Sequence, residues 1–465
     1  MSNPFLNPIF SLNALKSYLT DIDRLWKISP EKLKRFQDRN FRKAVKYAYT
    51  VPLYHDKYKE ANIHPNDIRG IKDLHKLPMV SKDDMRKAFP DGIIPKNANH
   101  NKLWLIRSSG STGKPLSFYR DTFSLLREMI YGIRGLKFVG IKWNKDRITG
   151  IGPYYSQGRY DYAVQNAIIN KMKFFPSSLN SVQHLPYSHG DIEKKLEEMN
   201  KYKPDYIIGP PIELQELATL KKKGLGKDVK PRVIVTSGGM LDGYIKKHIE
   251  DAFDCRLVDM YSSVEMSFAA FQCKEGNYHA FSDYLYFEFL DQNGEPVSSG
   301  EPGHITMTRF FGKGTPFVRY TGLDDILTPL YETCPCGINS QLIKRINGRR
   351  VNQIKSPDGK YITPVFFTRA IDAALQKLKT DKILQYQVVQ QTLEKIDILV
   401  IIDETKRNEP PKNETLFEEI KKEYYKIFKD TFQFNIKEVE KVIGSGNKNK
   451  PPPYAISKVS DIKNN

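Results

Sequence analysis

The octet Ser108-Ser109-Gly110-Ser111-Thr112-Gly113-Lys114-Pro115 stands between two short runs of strand-forming residues, Leu103-Trp104-Leu105-Ile106 and Leu116-Ser117-Phe118-Tyr119. Two strands so joined predict a hairpin whose tip is made of glycines, hydroxyls and one lysine. Glycines let backbone N–H groups approach an anion, hydroxyls donate further hydrogen bonds, and the lysine adds charge. That combination suits a polyphosphate. The common nucleotide P-loop needs a glycine where Ser108 stands and Ser or Thr where Pro115 stands, so this is a different motif. Taken alone, the octet is also readable as an ordinary Ser/Gly hairpin.

A chain of 465 residues is long enough for two to three domains, and 40% hydrophobic residues are ample for packed cores. No run of roughly eighteen apolar residues is present, so no spanning helix is expected. The opening MSNPFLNPIFSLNALKSYLT lacks a basic start and a long apolar centre, a poor signal peptide. Four cysteines do not make a disulfide framework, and a cytoplasmic location is expected. The net charge of +19 invites a nucleic-acid reading, but the lysines are spread along the chain. Runs such as Lys221-Lys222-Lys223 fall in helical-looking segments with a solvated face. No zinc-finger, basic-zipper or ribonucleoprotein aromatic pattern accompanies them, so no nucleic-acid partner is expected.

Residues 31–62 read as helix, a Val-Pro break, then helix, with Phe36, Phe41, Ala44, Val45 and Tyr47 as a core-facing stripe. Ser81 opens a helix, and residues 122–139 form another. Asp205–Gly209 and Arg232–Thr236 read as buried parallel strands in an α/β layout. The second ends in Ser237-Gly238-Gly239, a strand-to-helix turn of the kind where ligands sit in open α/β sheets. Leu257–Tyr261 is a further strand. From about residue 284 the pattern turns antiparallel, with turn signals at Asp291–Gly294 and Gly300–Gly303. After Ile343–Val351 comes an α+β pattern: helix 364–379, strands near 384–402, an exposed loop 403–413, helix 413–430 and strand 434–442.

Ser108–Pro115, Ser237-Gly238-Gly239, Tyr261–Glu265 and Arg319-Tyr320-Thr321-Gly322-Leu323-Asp324 occur in that order. The order resembles the adenylate-forming (acyl-activating) enzymes, in the branch of phenylacetate–CoA ligases, coenzyme F390 synthetases and CapK-type capsule proteins. The likeness runs across nearly the whole chain, including Phe41–Tyr54 and Leu77–Met85. It implies an α/β fold: a large N-terminal domain (residues 1–347) with α/β sheets and an antiparallel β subdomain, and a small mobile α+β C-terminal domain (residues 348–465).

The resemblance also implies roles. The loop, through Ser108, Ser109, Gly110, Ser111, Thr112, Gly113 and Lys114, would hold the β- and γ-phosphates of ATP. Adenine would lie against Ser237, Gly238, Gly239 and the ring of Tyr261, since an aromatic face suits a purine. Glu265 would order Mg²⁺, a hard cation that needs oxygen ligands. Asp324 would accept the ribose hydroxyls, with a one-residue shift to Asp325 open, and Arg349 would reach ribose or phosphate at the domain junction. The family's catalytic lysine corresponds to Lys450, with Lys448 close behind. Aromatics such as Tyr154, Tyr155 and Tyr187 are candidates for the acyl pocket or for core.

Two departures from the family pattern are visible. The family's Tyr-Gly-x-Thr-Glu reads Tyr261-Ser262-Ser263-Val264-Glu265 here, so a hydroxyl for the α-phosphate would have to come from Ser262 or Ser263. The Ser-Gly-Lys segment is replaced by Gly444-Ser445-Gly446-Asn447-Lys448-Asn449-Lys450-Pro451. Cys273, His279, Cys334 and Cys336 make three sulfurs and one imidazole, a complete tetrahedral set for structural zinc beneath the ribose site. They are also readable as reduced thiols beside an unrelated histidine, and Cys255 as a small core residue. The function expected is ATP-dependent activation of a small carboxylic acid to an acyl-adenylate. Transfer to a thiol (CoA or a carrier protein) or an amine would follow, with CapK likeness pointing to polysaccharide biosynthesis. The alternative is a binding or scaffold protein of the same fold with impaired catalysis. Whether the chain forms a homodimer stays open.

Overall fold

The structure is a computed structural model that describes residues 8–108, 116–142, 145–152, 182–186, 192–239, 241, 243–349, 352–359, 361–362, 365–380, 382–443 and 455–459. The loop tip from Ser109 to Pro115, the lysines Lys448 and Lys450, and Tyr154, Tyr155 and Tyr187 lie outside the described residues.

The N-terminal helices are α1 (Pro8–Asp21), α2 (Arg24–Lys27), α3 (Pro30–Ala48), α4 (Pro52–Glu60) and α5 (Lys82–Ala88). Helix α3 begins where Ser29 Oγ accepts from Lys32 N–H, and α5 where Ser81 and Asp84 form a capping box. The buried stripe of α3 is Leu33, Phe41, Ala44, Val45 and Ala48. Phe36 and Tyr47, expected in that stripe, sit at its edge instead. The Phe36 ring is covered by the guanidinium of Arg24, and Tyr47 Oη donates to Gly314 O at 2.8 Å. Both are side chains with a use for a half-exposed position.

β1 (Leu103–Arg107) and β2 (Ser117–Asp121) pair antiparallel, the expected hairpin. Ser108 closes the base of its loop: Ser108 N–H donates to Leu116 O at 2.8 Å and Ser108 Oγ accepts from Leu116 N–H at 2.9 Å. Asp121 then caps α6 (Thr122–Phe138).

An eleven-stranded sheet follows. Its strands are β3 (Ile148–Gly152), β4 (Val182–Pro186), β5 (Tyr206–Gly209), β6 (Val233–Ser237), β7 (Arg256–Ser263), β8 (Ser267–Gln272), β9 (Tyr278–Ala280), β10 (Leu285–Leu290), β11 (Gly303–Arg309), β12 (Asp325–Leu330) and β13 (Leu342–Arg349). β4, β3, β5, β6 and β7 are parallel neighbours, connected in part through α7 (Ile192–Tyr202), α8 (Pro211–Lys222) and α9 (Gly243–Phe253). β7 is parallel to β6 on one side and antiparallel to β8 on the other, so the antiparallel strands continue the same sheet. The C-terminal end of β7 is therefore the point where the pairing sense changes.

Beyond β13, β14 (Ile354–Lys355) pairs with β15 (Tyr361–Ile362). A four-stranded sheet of β16 (Ile383–Gln390), β17 (Lys395–Ile402), β18 (Gln433–Glu438) and β19 (Ala455–Ser457) packs with α10 (Val365–Leu378) and α11 (Asn413–Phe428) around its own core. β18 ends at Glu438, short of the expected 442. The loop after β17 is held by Lys382 Nζ, which donates to the carbonyls of Arg407, Glu409 and Pro411 at 2.5–2.9 Å. Gln215 of α8 donates to Leu384 O, and Tyr244 packs on this core, so the two parts touch through α8 and α9.

Candidate active site

The C-terminal end of β6, the turn after β7 and the starts of β12 and the end of β13 converge. Gly238 follows β6 with φ +84°, a left-handed conformation that opens the turn at no steric cost. Ser237 Oγ and Ser262 Oγ lie 2.6 Å apart, a hydrogen bond that joins the ends of β6 and β7. Ser263 Oγ accepts from Met266 N–H at 3.2 Å and shapes the turn that carries Val264 and Glu265. Val264 packs partly buried against the main core, while Glu265 is buried at 5% exposure.

Tyr261 Oη donates to Asp325 Oδ2 at 2.6 Å, and Arg349 Nε approaches Asp325 Oδ1 at 3.4 Å. Asp325 and Arg349 are direct partners in the β12–β13 ladder, so their side chains share a face. Asp324, one residue earlier, has φ +59° and is half-buried beside these groups. Of the two neighbouring aspartates, Asp325 is the one that bonds Tyr261 and Arg349. Glu265, Asp324 and Asp325 all act electrostatically on Arg349. These are five of the residues singled out from the sequence, and the fold brings them together. The segment before Asp324 is anchored from below: Arg319 Nη1 donates to His75 O at 2.8 Å and Leu77 O at 2.7 Å, and Val80 N–H donates to Arg319 O at 3.0 Å.

Arg120 brings the hairpin to this cluster. It is buried on β2, and its Nη2 donates to Val264 O at 2.7 Å and Glu265 O at 3.0 Å. Sequence reasoning passed over it. The signal was strand alternation, which puts Arg120 on the same inward face as Phe118.

A second cluster lies elsewhere. Cys273 follows β8, His279 lies on β9, and Cys334 and Cys336 lie between β12 and β13. Their ligand atoms are all within 4.8 Å of one another. Cys273 Sγ and Cys334 Sγ are 3.7 Å apart, near the ~3.8 Å edge of a tetrahedron with zinc–sulfur bonds of about 2.3 Å. Cys336 Sγ is 3.1 Å from His279 Nε2, and His279 Nδ1 is hydrogen-bonded to Ser340 Oγ at 2.9 Å, which aims Nε2 at the thiols. Burial pushes His279 down to about 4, keeping it neutral as a ligand must be. The donor set fits zinc. Its location corrects the expectation of a site beneath the ribose: Leu342 pairs with His279 at one end of β13 and Arg349 is at the other. At about 3.3 Å per residue the separation is roughly 20 Å. Cys255 is half-buried and packs at the edge of the core behind the parallel strands.

No family model matches the chain. Phenylacetate-coenzyme A ligase of Pseudomonas putida is 25% identical over 324 residues, 65% of this chain and 68% of that protein. Protein CapK of Staphylococcus aureus is 24% identical over 439 residues, 92% of this chain and 90% of that one. By sequence the chain is similar to phenylacetate-coenzyme A ligases and to CapK. Among solved structures, a 2-hydroxyisobutyryl-CoA ligase in the postadenylation state overlays with a TM-score of 0.74 at 17% identity, covering 93% of this chain and 91% of that chain. The fold of that ligase therefore extends over both parts described above. Among the described residues, no helix is long and apolar enough to cross a membrane.

Proposed function

We propose that this chain is an ATP-dependent ligase that converts a small carboxylic acid to its acyl-adenylate and then passes the acyl group to a thiol, coenzyme A being the acceptor favoured by the similar ligases. In the first step a carboxylate oxygen attacks the α-phosphorus of ATP. The bond to the bridging oxygen breaks, and pyrophosphate leaves with that electron pair. In the second, the thiolate attacks the acyl carbonyl and AMP departs.

The observation that carries this reading is the convergence of Tyr261, Glu265, Asp324, Asp325 and Arg349 at the end of β7, tied by Arg120 to the hairpin bearing the Ser/Gly/Lys loop. Adenine would lie against Ser237–Gly239 and Tyr261, and the ribose hydroxyls would donate to Asp324. Arg349 would reach ribose or phosphate. Ser109, Ser111, Thr112 and Lys114 would hold the β- and γ-phosphates, and Lys450, with Lys448 as its neighbour, would approach the substrate carboxylate and α-phosphate. Glu265 is the oxygen ligand suited to Mg²⁺, which when bound neutralises phosphate charge. The Cys273–His279–Cys334–Cys336 cluster would hold zinc with no open position, a structural role. Residues after Arg349 would act as a hinge between 1–347 and 348–465. We place the protein in the cytoplasm.

The scaffold alternative draws on Val264, which offers no hydroxyl, and on the engagement of Ser262 and Ser263 with Ser237 and Met266. Incubation with ATP, Mg²⁺, a carboxylate library and hydroxylamine separates the two. An ATP-dependent hydroxamate detected by mass spectrometry supports adenylation, and its absence with every acid supports the scaffold.

A further inference from the structure

Around Arg120 lies a group of charges that the reaction itself does not use. Arg120 leaves β2 with a 4% exposed side chain and forms a close ion pair with Glu128 of α6, whose side chain is 1% exposed. Glu128 Oε1 also accepts from Tyr284 Oη at 3.0 Å and lies 3.5 Å from Arg309 Nη1. A buried guanidinium costs several kcal/mol of desolvation unless its bonds are good, and core positions of this kind are ordinarily apolar. The second nitrogen shows what this one is for. Nη2 reaches across to two successive carbonyls, Val264 O at 2.7 Å and Glu265 O at 3.0 Å. Those carbonyls belong to the turn between β7 and β8, and that turn has no ladder bonds of its own across residues 264–266.

β2 is also held from the other side. Tyr119 N–H donates to Thr315 Oγ1 at 3.0 Å, and Thr315 N–H donates to Tyr119 O at 2.8 Å. Arg309 Nη2 donates to Thr315 O at 3.2 Å. The strand that leaves the Ser/Gly/Lys loop is therefore fixed to β11 and its following segment, and through Arg120 to the Glu265 turn. Two elements far apart in sequence share one rigid support.

We infer that Arg120 is a positioning residue, which sets the Glu265 backbone in register with the phosphate-binding hairpin so that carboxylate and loop meet the same Mg²⁺–triphosphate. This rests on the functional reading above and adds a residue to it. Arg120 acts through two carbonyls, with no contact of its own to nucleotide or metal proposed. The guanidinium divides its contacts, with Nη1 on Glu128 and Nη2 on the two carbonyls, and the single nitrogen of lysine cannot stand in both places.

The test measures binding, so it does not depend on knowing the acid. Mn²⁺ is titrated into full-length protein with ATP and followed by electron paramagnetic resonance, for wild type, Arg120→Lys and Leu217→Ala. Leu217 is buried in the core behind the parallel strands, so its truncation lowers stability away from this turn. Arg120→Lys keeps the charge opposite Glu128 and is expected to weaken Mn²⁺ binding in the ATP complex about tenfold, as loss of an outer-shell partner does. Leu217→Ala is expected to lower the unfolding temperature and leave Mn²⁺ affinity within twofold. A folded Arg120→Lys with wild-type affinity, or an equal loss in Leu217→Ala, would overturn the assignment while leaving the ligase reading intact. A wild type that binds no nucleotide would overturn both. Should Arg120→Lys fail to fold, Arg120→Gln, which retains one donor arm, replaces it and is judged by the same criterion.

Discussion

Tyr261 and Asp325 come from strands 64 residues apart and meet in a 2.6 Å hydrogen bond, with Arg349 on the other carboxylate oxygen. The bond links the ring proposed for adenine with the strand that begins beside the aspartate proposed for the ribose. It also distinguishes two adjacent acids: Asp325 is buried and bonds Tyr261 and Arg349, and the half-buried Asp324 is the one proposed for the ribose.

That division predicts different outcomes for the two. Asp324→Ala is expected to weaken ATP binding about tenfold or more, the worth of hydrogen bonds to a charged acceptor. It should leave binding of 2′,3′-dideoxy-ATP unchanged, because that nucleotide has no hydroxyls to donate. Isothermal titration with both nucleotides checks this. An equal loss for both would show that Asp324 does not read the ribose. Tyr261→Phe, by contrast, removes a buried hydrogen bond and is expected to cost about 1 kcal/mol of stability in urea unfolding.

Lys450→Ala should slow adenylation about 10²–10³-fold, the scale for one lost donor to developing charge, with ATP affinity nearly unchanged. Lys448→Ala should have a smaller effect. Single-turnover hydroxamate formation gives the rates, and a reversed order would move the catalytic role to Lys448.

Elemental analysis of protein purified without chelators should find about one zinc per chain, since Cys273, His279, Cys334 and Cys336 complete a tetrahedral set. Cys336→Ser should lower both zinc content and unfolding temperature. ATP affinity, measured where the variant stays folded, should not change, because the cluster lies at the far end of β13 from Arg349. Zinc well below one per chain ends the assignment.

Asp259 carries a pH signature. Burial raises its carboxyl to about 6, against the opposing hydrogen bond from Tyr278 Oη at 2.6 Å. The folded state then holds a proton that the unfolded chain releases near the ordinary value of 3.8. This group's stabilising contribution is full below about 4 and is lost as pH rises through about 6. Asn keeps an acceptor for Tyr278 and has no charge to bury. Asp259→Asn should therefore gain stability relative to wild type between pH 4 and pH 6, read from urea midpoints at several pH values. A constant difference across that range would contradict the assignment.

Much of this was legible in the sequence because it depended on local chemistry. Ser81 and Asp84 cap a helix by their own spacing, and the alternation in Phe118–Arg120 follows from strand geometry. The order of the motif stretches carried the fold. What was not legible depended on which strands become neighbours. Nothing local says that Arg120 reaches Val264 and Glu265, or that Asp325 takes the inward position. The place of the metal cluster was misjudged for the same reason: Cys334 lies close to Asp325 in sequence, but the intervening strand carries it to the opposite end of the β12–β13 pair. Phe36 and Tyr47 satisfied helical spacing yet stayed at the edge, where a cation and a pair of carbonyls hold them.

The central claim is that the chain uses ATP to activate an acid. Exchange of labelled pyrophosphate into ATP, measured across a panel of aliphatic and aromatic carboxylic acids with Mg²⁺, tests it most directly. Acid-dependent exchange that falls sharply in Lys450→Ala is the expected result. No exchange with any acid, in a protein that still binds ATP, would contradict it.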